Sequence, residues 1–310
     1  MIKRTLYFGN PAYIHCKDKQ LVVEFSNKEK PSAKVPIEDI GVVILDSFGI
    51  TLSQTLITKL LDNNAALITC NEKHMPQGLM LNLEGNTLQQ ERFAIQTEAS
   101  LPLKKQLWQQ TIKAKINNQR ACLLNYHSNG FENSFENLKY WSDSVRSGDP
   151  DQYEARAAAF YWKHLFSDII ERFKRGRFEL DPNNLLNYGY AILRAITARS
   201  LVGSGLLPTL GIHHHNKYNA YALADDVMEP YRPYVDMVVR DLVEKYYDKS
   251  WETEGFELSP EIKRELLQIP VMDVFFDGEK SPLMLAMQRT TSSLFHCFAG
   301  NSRKILYPQL

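Results

Sequence analysis

Two hydrophobic rhythms divide the chain. Up to about residue 85, apolar residues come in short clusters broken by turn formers. β-formers cluster or alternate over 5–8 and 21–25, with turn-rich stretches at Gly9-Asn10-Pro11 and 28–34. The continuous run at 42–45 predicts a buried strand, and 65–70 predicts another, closed by 71–78. One amphipathic helix is expected over 51–63: Leu52, Leu56, Leu60 and Leu61 face inward, and Thr51 or Ser53 serves as N-cap. Beyond Gly85 the period lengthens to that of a helix. Leu103, Leu107, Ile112 and Ile116 mark one across 89–119, where Pro102 is the main breaker. Residues 127–149 form a polar connection. Asp149-Pro150 then opens a helix running to 166, with Tyr153, Ala157, Ala158, Tyr161 and Leu165 as its stripe. Residues 185–202 are apolar all round, a central buried helix in which Arg194 and Arg199 need partners. A helix from Asn219, two more over 259–267 and 281–298, and an extended 304–310 complete the chain. The pattern predicts an α+β protein: a small β-rich domain over 1–88, then a larger all-helical domain over 89–310.

The densest chemistry lies in 210–236, LGIHHHNKYNAYALADDVMEPYRPYVD. Asp226 and Glu229 stand three residues apart and share one helix face. His213, His214 and His215 precede them in a loop opened by Pro208 and Gly211. An imidazole with one or two carboxylates makes a mostly oxygen site, better suited to Mg2+ or Mn2+ than to zinc. The bland alternative is a solvated acidic helix beside loop-filling histidines. Glu154 sits on the shoulder of its helix stripe beside Ala157 and Ala158. Small residues there allow a close interhelical contact, although the residues alone favour a plain surface glutamate. The run Glu171-Arg-Phe-Lys-Arg-Gly-Arg holds four cations; it suits a helix end or a phosphate contact equally.

Composition narrows the classes. Hydrophobic residues at 44% and charged residues at 23% suit a soluble globular protein. Net charge is zero, which excludes a uniformly basic nucleic-acid binder. The charge is uneven, however: residues 91–200 hold sixteen basic and twelve acidic side chains, and 201–310 hold eleven and fifteen. A basic surface beside an acidic pocket suits phosphodiester chemistry. Four scattered cysteines without a CxxC suggest neither disulfides nor a zinc knuckle. No GxxxxGK[ST] or post-strand GxGxxG appears, so no nucleotide-driven chemistry is expected. With no leader-like segment and no apolar run of membrane-spanning length, a cytoplasmic protein with no membrane partner is expected.

Several stretches together resemble one family: WQQTIKAKINNQ (108–119), the Glu154 helix, LNYGYAILR (186–194) and GIHHHN…LADDVMEPYRP (211–233). PIEDI and the 42–78 pattern extend the likeness over nearly the whole chain. These motifs are similar to the universal CRISPR-associated adaptation integrase, the Cas-one endonuclease, in the form found beside a type II effector. The resemblance implies a β-sandwich-like N-terminal dimerisation domain, a helical catalytic domain and a homodimer. It also implies double-stranded DNA (fragment and repeat array), a small ferredoxin-like partner protein and contact with the type II effector. Its metal site would fall on Glu154, a histidine of the 213–215 run and Glu229, with Asp226 a supporting ligand or neighbour. At the Glu229 position some relatives carry aspartate. The resemblance places the ligand histidine fifteen residues before Glu229, at His214, with His213 the runner-up. An extended loop would set His213 and His215 on one side and His214 on the other. The implied activity is insertion of short DNA fragments into a repeat array by a 3′-hydroxyl. The alternatives are a nuclease of branched DNA or RNA, and a DNA-binding subunit with a structural metal. Removing one carboxylate from such a cluster is expected to relieve repulsion and spare the fold.

Overall fold

Strand β5 (Ile40–Leu45, IGVVIL) carries no charged side chain because both its faces are covered. It lies between β1 (Arg4–Phe8) and β7 (Ala66–Cys70), parallel to both, and β8 (Pro76–Met80) closes the sheet antiparallel to β7. Parallel strands buried on both sides lose the apolar–polar alternation. Val43 and Leu67 face a second sheet, sharing a core with Ile14, Leu21 and Val23, and with Leu56 and Leu60 of α1 (Gln54–Asp62). Val42, Ile44 and Ile68 face the opposite way, into the helical core. The second sheet comprises β2 (Ala12–Lys17), β3 (Gln20–Phe25), β4 (Ala33–Pro36) and β6 (Ile50–Leu52), in the order β4-β3-β2-β6. The expected β-rich start is thus two four-stranded sheets around one helix. Ser53 is the cap of α1, its hydroxyl accepting from the Leu56 N–H.

The structure is a computed structural model that describes residues 3–25, 32–127, 135–171, 173–176, 182–247 and 257–310. The long helix expected over 89–119 is two helices, α2 (Gln89–Glu98) and α3 (Leu101–Tyr126). Ser100 caps α3 from its side chain, and Pro102, which has no N–H to lose, sits in its first turn. The polar stretch read as a connection contains α4 (Glu136–Ser144); its residues 128–134 lie outside the described residues, as do most of the turn at 28–34. Helix α5 (Tyr153–Leu165) begins later than Asp149-Pro150 suggests, because Asp149 and Gln152 adopt left-handed φ of 50° and 55°. Asp149 still serves the helix: its two oxygens accept from the N–H groups of Tyr153 and Glu154, at 3.0 and 2.9 Å.

Helix α6 (Asn183–Gly203) runs through the middle of the helical part, its apolar residues buried on every side. Around it pack α7 (Ala222–Met228), α8 (Arg232–Tyr246), α9 (Pro260–Leu266) and α10 (Leu283–Phe298). Gly189 lets α8 approach; a Cβ there would lie 2.5 Å from Val235 Cγ1. The arginines in α6 find partners, Arg199 only in part, since its Nη1 is buried without one among the described residues. Arg194 forms a two-pronged pair with Asp225 at 2.7 and 3.0 Å, and Arg199 donates to the Asn64 carbonyl. One departure from an all-helical second part is a hairpin, β9 (Asp273–Phe276) with β10 (Glu279–Pro282). Its turn is Asp277-Gly278, at φ of 53° and 87°, the Asp-Gly chemistry of a tight hairpin. Gln309 in the extended tail donates to the Phe275 carbonyl at 2.8 Å. Among the described residues, no helix is long and apolar enough to cross a membrane.

Candidate metal centre

Three elements converge at the site. From α3 comes Lys115, only 8% exposed because it lies in the same helical column as Trp108 and Ile112. A lysine in that position needs anionic company. Glu154, in the first turn of α5, places Oε1 at 2.7 Å from the Lys115 ammonium. Glu229 places Oε2 at 2.6 Å from the same nitrogen. Glu154 therefore lies at an interhelical contact, not free on the surface.

The third element is a break in helix geometry. Between α7 and α8, residues Glu229–Tyr231 tighten into a single 3-10 turn. Pro230 cannot donate to the helical ladder, and its own carbonyl accepts instead from Asn118 Nδ2 of α3 at 2.8 Å. That bond pins the Glu229 turn to the helix that carries Lys115. Arg232, three residues on, donates from Nε to Glu229 Oε1 at 2.8 Å. Burial opposes ionisation of Glu229, but Arg232 and Lys115 more than offset it and hold the carboxyl at about 2. Burial likewise works against the Lys115 charge; Glu229 and Glu154 outweigh it and raise its pKa. The four groups carry two positive and two negative charges, so they balance one another. Removing one glutamate therefore leaves a buried cation under-paired, which corrects the expectation that it relieves repulsion.

The histidine loop is bent rather than extended, and this changes which rings meet. His213 stacks flat on Trp108, with centroids 4.2 Å apart, and His214 meets the same indole edge-on at 5.5 Å. His215 is exposed. Asp226 is fully buried. It binds His214 Nδ1 through Oδ1 and accepts from the His213 backbone N–H through Oδ2 at 2.9 Å. That hydrogen bond raises the His214 pKa, whereas burial and then His214 itself lower that of His213. Gly211 makes the bend possible: a Cβ there would lie 2.4 Å from the His214 carbonyl oxygen and 2.9 Å from Asp226 Oδ2.

Of the four residues singled out from sequence, Glu154 and Glu229 meet at one point, while His214 and Asp226 form an adjoining pair. Among the described residues, no three His, Cys, Asp or Glu side chains stand together as a ready ligand set. The two carboxylates nonetheless embrace a cation, the Lys115 ammonium, and two hard oxygens from separate helices suit Mg2+ or Mn2+. Lys115, Arg232 and Trp108 escaped the sequence reading. For Lys115 the signal was there, a lysine inside an apolar column. In the basic run, Arg172 and Arg177 lie outside the described residues. Arg175 turns inward to Asn183 and Asn187 at 2.8 and 2.9 Å.

Comparison with known proteins places the chain. The model of the family "CRISPR associated protein Cas1" matches residues 6–269. The chain belongs to the Cas1 family. The CRISPR-associated endonuclease Cas1 of Neisseria meningitidis serogroup C (strain 8013) is 33% identical over 293 residues, covering 94% of this chain and 91% of that protein. Among solved structures, a "Casposase bound to integration product" gives a TM-score of 0.79 at 21% identity, covering 98% of this chain and 92% of that one. A "Cas6-RT-Cas1--Cas2 complex" gives 0.77 at 21% identity, covering 99% of this chain and 36% of that one. Both likenesses show the fold. As a Cas1 protein, the chain is a CRISPR-associated nuclease or integrase.

Proposed function

We propose that this Cas1 protein is a divalent-metal-dependent DNA integrase, with Glu154, His214 and Glu229 holding the cation and Asp226 orienting His214. Two carboxylates from different helices converging on one buried cationic group carry this reading. Asp226 supports it from behind. With Nδ1–H directed at Asp226, the Nε2 lone pair of His214 is the one left to bind a metal, a common carboxylate–histidine arrangement. When bound, Mg2+ or Mn2+ polarises the phosphate and sharpens the attacking oxygen. The chain's own groups then bind and orient the DNA. Lys115 and Arg232 face a cleft of about 290 Å³ that Arg175 also lines, giving three cations to hold phosphate oxygens.

In the reaction, a DNA 3′-hydroxyl oxygen forms a bond to phosphorus as the existing P–O bond breaks and its oxygen leaves. One phosphodiester replaces another, so no energy cofactor is needed. The product is a short fragment joined to a CRISPR repeat array. The similar casposase is bound to an integration product, and the second structure is a complex that includes Cas2. The first supports DNA and the second a CRISPR partner protein here, which we take to be small and ferredoxin-like. The proposal extends to a homodimer built through residues 1–88, catalysis in 89–310, contact with a type II effector and a cytoplasmic location.

A gel that separates joined from merely cut DNA tests it. Joined product should form with Mn2+ or Mg2+, vanish in EDTA, and be absent for Glu154→Ala and Glu229→Ala. Cutting without joining would favour the nuclease of branched substrates. Full joining by both variants would overturn the site.

A further inference from the structure

We infer that Lys115 is a displaceable placeholder: its ammonium fills the cation position between Glu154 and Glu229, gives way to a divalent ion, and moves into the adjoining cleft to grip substrate phosphate. The inference rests on the metal-site reading above and adds to it a moving, positioning residue. Three observations support it. The ammonium contacts both carboxylates at 2.7 and 2.6 Å with its side chain only 10% exposed, so a divalent ion cannot share that point with it. Lys115 and Arg232 already neutralise Glu154 and Glu229, so a dication added without displacement would crowd a third cationic group onto these two carboxylates.

The third observation is a landing place. One helical turn along α3, Gln119 is 3% exposed, and its Oε1 is buried without a hydrogen-bond partner. An unmet buried acceptor is costly. Gln119 and Lys115 line the same cleft, alongside Arg175 and Arg232. Residues four apart on a helix are neighbours, so the displaced ammonium reaches the Gln119 carbonyl by rotation about its own side-chain bonds. There it stands with two guanidinium groups and the Asp236 carboxyl, and a DNA phosphate supplies the further anion that offsets the cations. Metal and substrate then complete the charge balance together.

The test uses the intact protein and reads lysine reactivity. Wild-type protein is treated briefly with an amine-acetylating reagent in EDTA or in saturating Mn2+, and modification at Lys115 is quantified by mass spectrometry. Labelling should rise at least threefold with Mn2+; an unchanged or lower value overturns the inference. In parallel, calorimetric titration of Mn2+ should show Lys115→Gln binding at least tenfold tighter than wild type, and equal or weaker binding also overturns it. Should Lys115→Gln fail to fold, the wild-type labelling decides alone. Glu229→Gln separates the two claims: wild-type Mn2+ affinity and stoichiometry in that variant would overturn the metal site itself, whatever Lys115 does.

Discussion

Asp226→Asn probes the site with a change of one heavy atom. Asp226 is fully buried, and its oxygens meet two close donors, the His214 ring at Nδ1 and the His213 backbone N–H, with the His214 backbone N–H a third and farther one at 3.4 Å. A carboxylate satisfies both donors; an amide satisfies one. If the asparagine oxygen faces the His213 N–H, its NH2 faces His214 Nδ1, which must then accept, so the ring proton moves to Nε2 and blocks metal binding there. In the other orientation two donors confront each other in a buried site, costing about 1–3 kcal/mol. That corresponds to a Tm lower by about 1.5–5 °C for a chain of this size. Supporting groups of this kind typically change metal affinity or activity by about 10–100-fold. The assay is strand transfer at increasing Mn2+, with a thermal melt in EDTA. Asp226→Asn should need at least tenfold more Mn2+ for half-maximal rate and approach the wild-type rate at high Mn2+, whereas His214→Ala should not recover. A wild-type Mn2+ requirement in Asp226→Asn would refute the reasoning.

Glu229→Ala leaves Lys115 and Arg232 buried and under-paired, so it should lose strand transfer and about 3–5 kcal/mol of stability in denaturant unfolding. The Glu229 carboxyl sits at about 2 against an ordinary 4.5, so its stabilisation is complete above 4.5 and is lost as pH falls toward 2; a variant insensitive to acid over that range is expected. Asp236 behaves oppositely, because burial holds its carboxyl at about 7 and the folded protein binds its proton more tightly than the unfolded chain does. Stability should therefore fall as pH rises from about 4 through 7, and Asp236→Asn should flatten that part of a Tm-against-pH curve. Gly211→Ala should abolish strand transfer while leaving most of the fold, measured by activity beside far-UV circular dichroism, because its Cβ collides with the His214 carbonyl and Asp226. Light scattering at micromolar concentration should give twice 35.7 kDa; an active, strictly monomeric protein would contradict the dimer.

What was legible followed local rules. The apolar run at 42–45, the Ser53 cap and the all-round apolar 185–202 each state their environment in their own residues. The misses arise where distant contacts decide. Helix α4 lies in a stretch whose polarity hides a short buried face, Leu138 and Ser142. The α2–α3 break needed Ser100 to be recognised as a cap rather than Pro102 as a mere interruption. The β9–β10 hairpin was signalled by Asp277-Gly278 but lay between two expected helices, in a domain read as all-helical. At the site, residue types named Asp226, Glu229 and the histidines of 213–215 as candidates, while Glu154 and the choice of His214 came from the family resemblance. Their pairing through Lys115, the flat stack of His213 on Trp108 and the pinning of Pro230 by Asn118 depend on α3 crossing the Glu229 turn. No periodicity along 210–236 encodes that crossing.

The central claim is that Glu154, His214 and Glu229 hold a divalent cation. Anomalous diffraction from crystals soaked in Mn2+ tests it most directly. A single strong peak between the Glu154 and Glu229 carboxylates, within coordination distance of His214 Nε2, is the predicted result. A peak elsewhere, or a Lys115 ammonium still seated between the two glutamates at saturating Mn2+, would contradict it.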